Sequence, residues 1–153
     1  MGTWDEHWEG LGGRLAEAVD QVGPGMFLVL EFEDESAGEG SPYAQMAHTG
    51  GDPLCEIVSA WNLPPDEWSL NELALQRAGW SPPYGSDFPN WWRFDLAEPL
   101  EIATGLLVGL RDGRGCTDPD GFSWRIGYFP GDPGDRDEIP EGADVIEWHA
   151  LAA

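Results

Sequence analysis

Lysine is absent from this chain of 153 residues: all seven basic residues are arginine, set against 29 acidic ones, for a formal net charge of −22. A negative potential is therefore expected over most of the surface. Phosphate backbones and anionic membranes both select cationic groups, so neither nucleic acid nor a membrane surface is expected as a partner. An acidic protein can imitate DNA toward a DNA-binding target, but acidity of this degree reads first as solubility.

Cysteine is nearly absent as well. Cys55 and Cys116 lie far apart and outside any Cys-x-x-Cys spacing, which points to two reduced thiols, one in a strand and one in a loop. Histidines 7, 48 and 149 are isolated, so no zinc spacing and no local triad can be assembled, and neither a cofactor nor a metal is expected. Nucleophile elbows and phosphate loops are also missing, which argues against an enzyme. The run "DPGDRDE", from Asp132 to Glu138, has carboxylates enough for calcium but not the EF-hand spacing, and reads as a solvated acidic loop. "TDPDGF", residues 117–122, reads as a turn into a strand. With no cationic, apolar leader and no run as long as a membrane span, the protein is expected in the cytoplasm.

Aromatic residues, by contrast, are plentiful. Nine tryptophans and an apolar fraction of 41% exclude a wholly disordered chain, and the length suits a single domain over 1–153. Thr3 and Glu6 have capping-box spacing, and Trp4, Trp8, Leu11, Leu15 and Val19 form one stripe of a helix expected near 4–22. "MFLVLEFE", "PYAQMAHT" and "PLCEIVSAW" then read as three strands of an antiparallel meander, with "ESAGEGS" and "GGD" as turns.

Ser69 and Glu72 suggest the cap of a short second helix, with Gly79 as its left-handed stop and Trp80 folding back on it. Asp95 and Glu98 repeat the capping spacing before a third helix that runs to about Arg111, with Pro99 harmless in its first turn. Leu96, Leu100, Ala103, Leu107 and Leu110 share a face of it, widened by Ile102 and Leu106. Gly105 and Gly109 fall opposite that face and read as exposed, although they would also let a second copy approach as a homodimer. "GFSWRIGYF" and "ADVIEWHAL" close the chain as two strands around the acidic loop 130–142.

Between the second and third helices lies "GWSPPYGSDFPNWWRF", residues 79–94, read as a loop. Trp80 follows a helix stop and reads as core. Trp91 and Trp92 are adjacent, so in an extended segment they face opposite ways and only one can be buried. The other, with Phe88 or Trp61, could line a groove that grips an extended chain. Trp61, Trp80, Phe88, Trp91 and Trp92 are thus the candidate partner-binding residues, with the meander's free edge as a further docking place for a peptide strand.

The segment "SAWNLPPDEWSLNELALQRAGWSPPYGSDFPNWWRF", followed by "LEIATGLLVGLRDGRG", resembles the actinobacterial TY-Chap proteins, which are grouped with YbjN and type III secretion chaperones. The likeness rests on Ser59–Pro64, Ala78–Pro83, Asn90–Arg93 and Leu110–Gly115 and spans residues 4–115. Here "SAWN" inserts residues where the family has "SN", and residues 116–153 form a C-terminal hairpin extension without a counterpart in it. The resemblance implies an α+β fold, an antiparallel β meander packed by helices, to which the residues themselves add the C-terminal β hairpin. It also implies a module that holds a peptide or protein partner without doing chemistry. Two other readings remain open on charge and composition: an acidic immunity or inhibitor protein that neutralises a basic toxin or enzyme, and a small hydrolase with an acid pair gathered from its loops.

Overall fold

The computed structural model describes residues 6–33, 41–49, 51–85, 89–128 and 149–151. The branched and aromatic run Met26–Phe32 forms strand β1, with Leu28, Leu30 and Phe32 buried on one face, and Tyr43–His48 and Leu54–Ile57 follow as β2 and β3. All three pair antiparallel as a meander. "PLCEIVSAW" gives up its last residues to a turn, so β3 is short.

The aromatic segment is not wholly a loop. Trp91–Arg93 is a strand, β4, that pairs antiparallel with β3 in the register Ile57↔Trp91, Glu56↔Trp92 and Cys55↔Arg93. The meander edge that was expected to be free is therefore covered. The outer side of β4 is bridged in turn, because Ser81 and Trp92 exchange backbone hydrogen bonds of 2.9 and 3.1 Å. At the other end Phe122–Tyr128, β5, pairs along β1, and His149–Ala150, β6, pairs with β5, giving the order β4-β3-β2-β1-β5-β6. The fold is α+β, with every strand antiparallel to its neighbours. The acidic loop, the rest of "ADVIEWHAL", the "ESAGEGS" turn apart from Ser41, Gly50 of the "GGD" turn, Thr3, Trp4 and Phe88 lie outside the described residues.

Helices cover one face of this sheet. In α1, Glu6–Val19, the expected stripe of Trp8, Leu11, Leu15 and Val19 is buried, with Glu9 and Glu17 on the wet side. It packs against α3, Pro99–Val108, and α3 also touches β2 and β3. The Trp8 and Phe32 rings meet Phe122 at 5.8 and 5.1 Å and join the helical layer to the sheet.

Both later caps sit further along the chain than the spacing predicts. Helix α2, Glu72–Arg77, is capped by Asn71, whose side chain accepts from the Ala74 N–H, in place of Ser69. Helix α3 is capped by Glu98 and Glu101 as the reciprocal box, with Pro99 at its first position. Asp95 is unavailable as a cap because it is bonded to Arg93. Leu100, expected on the buried stripe, is 58% exposed, and Ile102, Ala103, Leu106 and Leu107 do the packing. The two helix glycines serve contacts within the chain: a Cβ at Gly105 would stand 2.7 Å from Leu96, and one at buried Gly109 would stand 2.6 Å from Ile57. Past Val108 the helix widens into a π-helical turn over Gly109–Gly113, which carries Arg111 inward and leads to Arg114.

Candidate functional site

Trp61 is 80% exposed, and the turn that carries it is held from several sides. Ser59, fully buried at its base, accepts the Asn62 and Leu63 N–H groups on its carbonyl at 3.2 and 2.9 Å. Its hydroxyl accepts the Trp61 N–H at 3.1 Å and donates to the Pro89 carbonyl. The Asn90 side-chain oxygen accepts from Ser59 N at 3.2 Å and from Asn62 Nδ2 at 3.0 Å. Asn90 itself is buried, and its Nδ2 lies within hydrogen-bond reach of Tyr43 and Glu56 at 3.4 and 3.5 Å. The turn is thereby joined both to the segment entering β4 and to the sheet.

Arg114 holds the same turn from inside. Its side chain is fully buried, with Nη1 donating to Val58 O at 3.2 Å and Nη2 to Leu63 O at 2.7 Å and Trp68 O at 3.3 Å. The Trp68 indole donates back to the Arg114 carbonyl. A turn cannot bury its carbonyls without donors, and one guanidinium supplies three of them. Burial pulls the Arg114 pKa down from its ordinary value.

Of the other candidates, Trp80 and Trp91 are core residues, 3% and 1% exposed, and offer no surface to a partner. Trp80 is turned inward by the stop of α2: Gly79 takes φ 102°, and the Gly79 and Trp80 N–H groups bond back to Gln76 O and Leu75 O. Trp91 faces the core because it shares the pleat of Ile57. Trp92, on the other side of that pleat, is half-buried; its indole donates to Pro82 O at 3.1 Å and its ring meets Phe94 edge-on at 5.7 Å. Tyr84, 74% exposed in the adjoining loop, is a further surface aromatic, with no spacing signal in the sequence to mark it.

Behind β4, a pocket of about 310 Å³ opens between the end of α2 and the outer side of α3, lined by Trp80, Arg93, Leu96, Gly105 and Val108 among others. Arg93 forms its polar wall. Its guanidinium grips Asp95 with two bonds of 2.7 and 2.8 Å, donates to Ala78 O at 2.6 Å and lies 5.4 Å from the Trp80 ring. These bonds hold the Asp95 carboxyl below the usual carboxylate range. Cys55 and Cys116 are buried free thiols, and burial pushes Cys55 up to about 12 and Cys116 up as well. Such thiols are not poised for nucleophilic work.

Among the described residues no group of three or more His, Cys, Asp or Glu side chains is placed to hold a metal ion. No helix among them is long and apolar enough to cross a membrane. An antiparallel sheet backed by helices makes this an α+β fold. A family model described as T3SS (YopN, CesT) and YbjN peptide-binding chaperone 3, TY-Chap3, matches residues 1–125, and the chain belongs to this family. The match runs past residue 115 into β5. No curated protein and no solved structure matches the chain significantly. Ser59, Asn90, Arg93 and Arg114, which lie in the motif stretches quoted for the resemblance, are the residues that fasten the Trp61 turn and the ends of α2 and β4.

Proposed function

We propose that the chain is a non-enzymatic, cytoplasmic module that holds a peptide or an extended segment of a partner protein, with Trp61 as its principal anchor and Trp92 as a secondary one. The observation that carries this reading is the contrast at the turn: an indole 80% exposed, on a backbone fastened by buried Ser59, Asn90 and Arg114. An anchor whose backbone is already ordered loses little entropy on binding, and tryptophan is the side chain most enriched among binding hot spots. The family's description as peptide-binding supports the class of ligand.

The test is selection of a displayed library of random linear peptides against the native protein, with Trp61→Ala and Trp91→Ala compared. Trp61→Ala should weaken selected peptides at least tenfold at an unchanged urea midpoint. Trp91→Ala should instead lose about 3–5 kcal/mol of stability as a core cavity. Failure to enrich any peptide, or equal binding to Trp61→Ala, would remove the reading.

A further inference from the structure

The arginines of this protein are largely turned to its own use. Arg114 is fully buried on backbone carbonyls. Arg111 is 9% exposed, bonded to Asp112 and stacked 5.3 Å from the Trp8 ring. Arg93 is spent on Asp95, Ala78 and the Trp80 ring, and Arg14 Nε donates to Leu151 O at 2.9 Å. The carboxylates that outnumber them are left to dominate the outer surface, which is therefore more uniformly negative than composition alone requires.

The exposed charge near Trp61 in sequence is one-sided in the same way, since Arg114 beneath the turn is fully buried. No lysine or arginine occurs between Arg14 and Arg77, while Asp66 and Glu67, both exposed, lie in the next turn along the chain, which closes on the Pro64 carbonyl. Inside the fold, the Trp8 and Trp80 rings are each faced by an arginine of the chain. At Trp61 the indole faces solvent, and in sequence Asp66 and Glu67 lie nearer to it than any arginine does.

From this charge complementarity we infer that the segment held at Trp61 is cationic: an extended stretch bearing arginine or lysine, one side chain stacked on the indole and its neighbours facing Asp66 and Glu67. The inference rests on the peptide-binding reading above and specifies its ligand. Cation–π stacking on an exposed indole adds modestly to affinity, and the acidic field adds a salt-sensitive part and discriminates against anionic segments.

The test uses three synthetic peptides of one length and one apolar pattern, with the variable positions filled by arginine, glutamine or glutamate, measured by calorimetry on the full chain. The arginine peptide should bind at least tenfold more tightly than the glutamine peptide at low salt, with the advantage shrinking as sodium chloride is raised, and the glutamate peptide should bind most weakly. The doubly substituted Asp66→Asn, Glu67→Gln protein should lose most of the arginine advantage while keeping its affinity for the glutamine peptide, and Trp61→Ala should weaken both. Equal, salt-independent binding of the arginine and glutamine peptides would overturn the cationic inference and leave peptide binding standing. Binding of none of the three would overturn both. An arginine advantage untouched by either variant would show that the cationic segment docks elsewhere, and would overturn the assignment to this turn.

Discussion

Arg114 Nη2 lies 2.7 Å from the carbonyl oxygen of Leu63, and through that bond the end of the long helical segment grips the turn that presents Trp61. The guanidinium donates to the carbonyls of Val58, Leu63 and Trp68. Replacing it with Arg114→Met strands those acceptors in the interior. The expected loss is on the order of 3 kcal/mol, seen as a lower urea midpoint at unchanged slope. Hydrogen exchange at the Asn62 and Leu63 amides should accelerate beyond what the global loss explains, because the turn loses its inner fastening.

Gly79→Ala places a side chain where φ is 102° and sets its Cβ 2.8 Å from Arg93 Nη2. Left-handed backbone alone costs about 1–2 kcal/mol for such a residue, and the contact displaces Arg93 from Ala78 O as well. A drop in thermal midpoint is the expected result, against a rise for an alanine substitution at Gly13, which is exposed inside α1 and whose Cβ would meet nothing within 4 Å.

Two carboxylates give the acid side of the stability curve opposite slopes. Asp95 is lowered from 3.8 by hydrogen bonds from Arg93, so its contribution is fully present above that value and is lost as pH falls through the depressed one. Glu31 is raised from 4.5, by burial first and then by Glu33. Its ionisation penalises folding above the raised value, and the penalty is relieved as pH falls toward 4.5. Glu31→Gln should therefore melt higher than the parent at neutral pH, with the gap closing as pH approaches 4.5. Asp95→Asn should be less stable at neutral pH and lose less on acidification; its carboxyl is largely exposed, so the effect is small.

Added salt at neutral pH should raise the melting temperature. A net charge of −22 repels itself more in the folded state than in the expanded chain. Screening with a length of about 10 Å at about 0.1 M relieves this. A midpoint that stays flat or falls between low and moderate sodium chloride would contradict the expectation.

Local periodicity made much of the scaffold legible. The stripe of Trp8, Leu11, Leu15 and Val19, the three strands of the meander and the stop at Gly79 each depend on residues a few positions apart, and each stands where spacing placed it. Opposite facing of Trp91 and Trp92 followed from the pleat of any extended segment. Which of the two turns inward did not, because that is set by the register of β4 against Ile57, and a strand of three residues has no period to read.

The candidate site was legible in part for the same reason. Trp61 could be named from its type, but its exposure on a fastened turn depends on Asn90 reaching back to Ser59 and on Arg114 reaching Val58, 56 residues earlier. A charged residue in a polar stretch reads as surface until the carbonyls that surround it are known. Net charge, the helices and the strands of the meander were properties of the chain. Burial of Arg114, and with it the pose of Trp61, was decided only when donors and acceptors distant in sequence met in a dry interior, where each had to find the other.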